Sequence, residues 1–179
     1  MIMKPIVITG GPGAGKTTII DALAEMGHCT YAESSRRLIE EQSALKDGIL
    51  PWHDMAGFIK LCLEVMDEQK RQATQDEGYS FLDRAIGDLS AYSRLSGLTP
   101  SEEIEQAAQG YHSTVFVCRP HQLTYVQDEV RPYPFEQALE IHQLLVTAYQ
   151  ELGYQVVDVP FDKVPSRCDF ILSCLASAQ

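Results

Sequence analysis

Basic side chains are scarce in this sequence. Its 179 residues hold 14 Lys and Arg against 25 Asp and Glu, a formal net charge of −11. A protein that grips nucleic acid without sequence preference needs a basic surface that displaces counterions from phosphates. This charge balance argues against that class, and no non-specific nucleic-acid binding is expected. Long apolar runs are missing as well. No stretch approaches the ~20 apolar residues of a membrane-spanning helix, and the apolar run at residues 6–8 is too short for a secretory signal. The expectation is therefore a cytoplasmic protein with no membrane partner. Five cysteines are present, Cys29, Cys62, Cys118, Cys168 and Cys174, an odd number with no CxxC pair. They read as reduced and mostly buried thiols rather than as a disulfide or zinc framework. The histidines add no zinc spacing, since His28-Cys29 and Cys118-x-x-His121 would have to be brought together first. Repeats, low-complexity tracts and long linkers are also absent.

What is there is a chain of ordinary composition, 45% hydrophobic and 22% charged, long enough for one core in one domain over residues 1–179. Short apolar runs alternate with amphipathic stretches. Strands are predicted at residues 5–9, 29–32, 79–83, 114–118 and 155–159. Helices are predicted over residues 16–26, 34–46, 54–75 and 86–96, and over the apolar stripe from Phe135 to Leu152. Thr99-Pro100-Ser101-Glu102 reads as a capping box with proline at the first helical position, and Ser166 reads as the cap of a final helix. Residues 119–134 carry three prolines and mixed charge and read as a loop or lid. Continuous apolar strands separated by helices point to an α/β fold, a five-stranded parallel sheet covered on both faces.

Gly10-Gly11-Pro12-Gly13-Ala14-Gly15-Lys16-Thr17 satisfies G-x-x-x-x-G-K-[ST] between a predicted strand and a predicted helix. Glycines let successive N–H groups turn inward as an anion nest, and the helix N-terminus adds partial positive charge. The candidate nucleotide-binding residues are Gly11, Gly13, Ala14, Gly15, Lys16, Thr17 and Thr18. Lys16 would reach the β- and γ-phosphates, and the Thr17 hydroxyl would ligate Mg²⁺. The alternative is a glycine-rich turn with no ligand.

Asp83-Arg84 closes the third predicted strand. Strand C-termini face the ligand edge of a parallel sheet, so Asp83 is placed to hold Mg²⁺ or to accept a proton. Arg84 is placed to pair with an anionic substrate group; the other reading is a surface salt bridge. Glu33 ends the second strand and Arg36 follows one helical turn later on the same face. The pair would line an acceptor pocket with Glu33 as base, or else Glu33 is a helix N-terminal carboxylate beside a solvated arginine. In the lid region Arg119 and Arg131 would neutralise charge on the transferring phosphoryl group, with a local ion pair as the other reading of Arg131.

The phosphate loop, Glu33-x-x-Arg36, Asp83-Arg84-x-x-x-Asp88-x-x-x-Tyr92 and Tyr125-x-x-Asp128-Glu129-x-Arg131 occur in this order. With the run from Phe135-Glu136-x-Ala138-Leu139-x-Ile141-His142 to Leu152-Gly153-Tyr154, the set resembles small bacterial AAA-domain ATPase/kinase-like proteins. Those proteins are related to nicotinamide riboside kinase-like and thymidylate kinase-like P-loop enzymes. The resemblance spans nearly the whole chain. It implies a P-loop NTPase fold of parallel strand order 2-3-1-4-5 with a mobile lid, Glu33 in the position of a general base, and Arg119 and Arg131 in the lid. Asp-Arg stands where a hydrolytic Walker B has Asp-Glu, and the chain lacks room for the helical lid domain of a ring-forming ATPase. The expected function is an ATP–Mg²⁺-dependent phosphotransferase, a kinase acting on a nucleoside, a nucleotide or a similar small molecule. Lys16, Asp83, Glu33 and Arg131 would be its catalytic groups, and a homodimer is compatible with this reading. The alternative is an NTPase switch in which hydrolysis drives a partner interaction.

Overall fold

The computed structural model describes residues 3–11, 13–125 and 134–178. Twelve elements follow one another among these residues. They are β1 (Ile6–Gly10), α1 (Lys16–Glu25), β2 (Cys29–Tyr31), α2 (Ser34–Ser43), α3 (Met55–Thr74) and β3 (Ser80–Asp83). Then come α4 (Ile86–Leu95), α5 (Glu102–Ala107), β4 (Thr114–Cys118), α6 (Phe135–Glu151), β5 (Gln155–Val159) and α7 (Val164–Ser177). The strands form one sheet in the order β2-β3-β1-β4-β5, and every pairing is parallel. This is the order and class expected from the sequence.

Alternation along the strands explains the layers. Successive side chains leave a strand on opposite faces. Val7, Leu82, Val115 and Val117 join a core built with α3, α4 and Tyr149. Their neighbours Ile6, Ile8, Phe81, Phe116 and Cys118 join a second core built with α1 and α7. The central strands β1 and β4 are buried throughout, whereas the edge strands β2 and β5 are half-exposed. A third cluster, Ala91 with Ile141, Leu145 and Ala148, zips α4 to α6. Full coverage is what lets the central strands be apolar on both faces.

Several local expectations move. Ser101, not Thr99, caps α5: its hydroxyl accepts the Ile104 N–H at 3.2 Å. Pro100 therefore lies outside the helix, where its missing N–H costs nothing. Ser166 sits inside α7, which begins at Val164 after Lys163 and carries proline in its first turn. Helix α2 stops at Ser43, short of Lys46, because the Gln42 side chain turns to accept the Ile49 N–H at 2.8 Å. Cysteine burial is mixed: Cys62, Cys118 and Cys168 are buried, Cys174 is intermediate and Cys29 is exposed on the edge strand. Among the described residues no helix is long and apolar enough to cross a membrane. Half of the lid read at residues 119–134, namely residues 126–133 with Arg131 among them, falls outside the described residues.

Candidate active site

The C-terminal ends of β1, β3 and β2 lie side by side, since Ile8 is in register with Asp83 and Tyr31 with Leu82. The chain leaves β1 at Gly10 and enters α1 at Lys16, so the phosphate loop stands at this edge. Gly13 (φ +73°) and Gly15 (φ +80°) adopt left-handed backbone, a region that L side chains enter at a cost and glycine enters freely. That backbone turns the loop and brings its peptides round to α1. Gly11 packs beneath α6, for a Cβ there would lie 3.0 Å from the Ala138 carbonyl. Ala14 is buried, and the Thr18 hydroxyl donates back to the Gly15 carbonyl at 2.8 Å.

Two cations and three carboxylates converge beside the loop. Lys16 is 7% exposed and Asp83 4%. The Thr17 hydroxyl donates to Asp83 Oδ2 at 3.4 Å, and Asp83 Oδ1 is buried without a hydrogen-bond partner among the described residues. A buried carboxylate oxygen left unmatched is costly. Burial pushes the Asp83 carboxyl up; Lys16 and Arg84 act against this, while Glu33 and Asp88 add to it. Burial, then the Arg84 charge, holds the Lys16 ammonium below its usual value, and Asp83, Glu33 and Asp88 pull the other way.

An unmatched hard oxygen beside a threonine hydroxyl is a donor set that suits Mg²⁺, which takes one or two protein ligands and completes its shell with water and phosphate. No group of three or more His, Cys, Asp or Glu that could cage a metal occurs among the described residues. Thr17 and Asp83 are thus the residues that would hold Mg²⁺.

Arg84 adopts φ +67°, the one non-glycine residue in left-handed backbone among those described. Such strain persists only where the surroundings impose it. Its N–H donates to the Ile8 carbonyl at 2.9 Å, and its guanidinium donates to the Tyr92 hydroxyl at 2.8 Å while lying over that ring. Its Nε stands 3.5 Å from Glu33 Oε1. Burial works against the Arg84 charge, but Tyr92, Glu33, Asp88 and Asp83 outweigh it and the guanidinium is held protonated more firmly than usual.

Glu33 precedes α2 and takes a 2.5 Å hydrogen bond from the Ser35 hydroxyl. Burial alone would raise its pKa; Arg84, Lys16, the Ser35 bond and Arg36 together bring it down to about 2. Of the two sequence readings of Glu33 and Arg36, the exposed position of Arg36 is that of the solvated arginine, and a shared acceptor pocket stays a proposal. Arg36 is exposed on α2 and acts on Glu33 only through its field, while the ion partner is Arg84 from the next strand.

These shifts set a pH dependence. A carboxyl depressed from 4.5 to about 2 in the folded state stabilises the fold above pH 4.5 and loses that contribution as pH falls towards 2. Glu33→Gln should lower the melting temperature most near neutral pH, and the gap should close between about pH 4.5 and 2. Thermal melts of both proteins across that range test this; a gap independent of pH would detach Glu33 from the Arg84 charge.

Arg119 follows β4 but is exposed, with its guanidinium 3.9 Å from the equally exposed Asp158 carboxylate on β5. The described contact of Arg119 is thus an ion pair between neighbouring strand ends. Such a pair is weak and would not hold the side chain against a stronger anion. His142, on the inner stripe of α6, is a buried packing residue, and burial lowers its pKa.

Sequence reasoning quoted Asp88 only as part of a motif and gave it no role. It is 1% exposed and accepts from the Thr9 hydroxyl and the Tyr149 hydroxyl, each at 2.6 Å, and from the Ala85 N–H at 3.3 Å. Its place in the first turn of α4, where a carboxylate can take up a free N–H, was a signal. Tyr92, quoted in the same motif, and Tyr149 were given no role either, because an aromatic at helical spacing reads as core.

Comparison with known proteins agrees with this architecture. A family model described as AAA domain matches residues 5–167. Among solved structures, a deoxyadenosine kinase from M. mycoides with dCMP and dCDP bound superimposes with TM-score 0.66 at 14% identity, covering 98% of this chain and 100% of that one. Shikimate kinase from Acinetobacter baumannii in complex with shikimate gives TM-score 0.61 at 15% identity over 99% and 95% of the two chains. NadR protein in complex with NR gives 0.70 at 21% identity, covering 98% of this chain and 51% of that one. These likenesses are of fold. No curated protein matches the chain in sequence.

Proposed function

Because the chain belongs to the AAA-domain family, we propose that it is an ATP–Mg²⁺-dependent phosphotransferase whose acceptor is a hydroxyl group of a nucleoside or a similar small molecule. The observation that carries this reading is Glu33. It is an ionised carboxylate held by Ser35 and Arg84 at the strand edge that also carries Lys16 and Asp83. Such a group attracts a hydroxyl proton and repels a second phosphate. The structural neighbours support it by class, since two of the three carry kinase names.

The chain's residues divide the work. The loop N–H groups and Lys16 receive the triphosphate, with Thr17 and Asp83 beside its terminal end. Mg²⁺, when bound there, neutralises charge on the β- and γ-oxygens. Glu33 accepts a hydrogen bond from the acceptor hydroxyl. As the new O–P bond forms and the bond to the leaving diphosphate breaks, the hydroxyl turns acidic and its proton passes to Glu33. Arg84, pinned by Tyr92, keeps Glu33 ionised and oriented. Arg36 borders the acceptor side, and Arg119 and Arg131 are the cations that a lid would bring to the nucleotide.

The test is product analysis with ATP–Mg²⁺ and a panel of nucleosides, nucleotides and other hydroxyl compounds. Labelled phosphate should appear on a hydroxyl acceptor, and Lys16→Ala should weaken ATP by about tenfold or more through loss of a charge-assisted contact. Free phosphate alone, whatever acceptor is supplied, would replace this reading with an NTPase switch.

A further inference from the structure

The far end of the chain reaches the phosphate loop through a buried arginine. Arg167 lies on α7 and is 6% exposed. Its Nη1 donates to the carbonyl oxygen of Ala14 at 3.4 Å, a contact spanning 153 residues of sequence. A Cβ placed on Gly15 would lie 3.1 Å from the same nitrogen. Its Nε is buried and has no hydrogen-bond partner among the described residues. The turn of α7 that carries it is anchored: Cys168 and Ile171 are buried against α1, and Cys168 Sγ lies 3.9 Å from the Ile19 carbonyl. The charge is felt further in, at the end of β4. Burial pushes the Cys118 thiol up to about 11, with Arg167 and Lys16 acting against it.

The consequence follows from peptide geometry. Ala14 C=O and Gly15 N–H belong to one planar trans peptide, so they point in opposite directions. A guanidinium that holds the carbonyl towards α7 aims the Gly15 N–H away from α7. It also sets a second buried positive charge behind the loop, where low dielectric lets it act on an anion bound in front. Resting on the nucleotide-binding reading above, we infer that Arg167 is a positioning residue of the phosphate loop, orienting the Ala14–Gly15 peptide towards the phosphates of a bound polyphosphate. It touches no reacting atom and acts through the loop backbone.

Calorimetry of the full chain with ATP–Mg²⁺ and, separately, with inorganic tripolyphosphate reads this directly. Arg167→Met, which keeps the apolar stem and removes both donors and charge, should weaken both ligands by about tenfold or more, the size expected for a lost charge-assisted interaction. Arg167→Lys restores the charge and one donor and should recover most of that loss, which a purely space-filling role would not produce. The Gly15 amide resonance of the free protein should move in Arg167→Met and return towards the wild-type position in Arg167→Lys. If Arg167→Met fails to fold, Arg167→Gln replaces it, with a loss of about fivefold or more expected because the charge is gone. Wild-type protein that binds neither ligand sinks the nucleotide reading and this inference together. Wild-type protein that binds both, with a folded variant lacking the Arg167 charge that binds equally well, overturns this inference alone.

Discussion

Asp83→Asn should lower phosphotransfer turnover by about 10²–10³-fold, the cost of removing one preorganised charge from a buried site, while the melting temperature stays near the wild-type value. The carboxylate is 4% exposed, one of its oxygens has no hydrogen-bond partner among the described residues, and burial disfavours its ionised form. The free fold therefore gains little from that charge, and an amide of the same shape can take its place. Lys16 loses a counter-charge in the exchange, which limits any stabilisation. The affinity for Mg²⁺ should fall along with turnover, because the Thr17 hydroxyl is left without its carboxylate neighbour. Turnover titrated with Mg²⁺, beside thermal melts, separates the two effects. Turnover at the wild-type level with an unchanged Mg²⁺ requirement would reduce Asp83 to packing.

Asp88→Ala should behave in the opposite way, destabilising the domain by about 3–5 kcal/mol. Its carboxylate joins β1, α4 and α6 by accepting from Thr9, Ala85 and Tyr149. Removing it leaves two buried hydroxyls and one N–H unmatched, at about 1–3 kcal/mol each before any relaxation. The approach of α6 is already tight, since a Cβ on Gly87 would collide with the Tyr149 ring, so water has little room to fill the gap. Asp88→Asn should cost less, because one acceptor oxygen survives. Urea unfolding with an unchanged slope measures the loss, and a cycle with Tyr149→Phe apportions it between the two hydroxyls. A cost under about 1 kcal/mol for Asp88→Ala would show that the network is not structural.

The contrast between these carboxylates marks what the sequence could reveal. The five strands of a parallel sheet and the loop were readable because each rests on a local pattern: apolar runs of strand length, and glycines followed by Lys16 and Thr17. The order β2-β3-β1-β4-β5 was implied only by the resemblance of the ordered motifs to a known family. Asp83 was readable because strand ends face the ligand edge of a parallel sheet. The partner of Glu33 was not readable. Arg36 is near in sequence, but the left-handed turn at Arg84 brings a guanidinium from another strand, and no spacing rule encodes that. Arg167 was invisible for the same reason, since nothing in a C-terminal amphipathic helix says which loop its cation will meet. Contacts that cross the sheet edge depend on tertiary packing and emerge only from the folded chain.

The position of β1 bears on how the protein is made. Among the strands of this sheet it is the first to be synthesised, and it is the innermost. Ile6, Val7 and Ile8 pair with Phe81, Leu82 and Asp83 on one side, and Ile8, Thr9 and Gly10 with Phe116, Val117 and Cys118 on the other. Until Cys118 has been synthesised, β1 has at most one flank covered. Pairing over such sequence separations is slow, and an unpartnered apolar strand is open to association with other chains. A nascent chain that stops short of β4 is therefore expected to be the vulnerable species, and residues 114–118 are the point in synthesis at which the sheet can close around its own beginning.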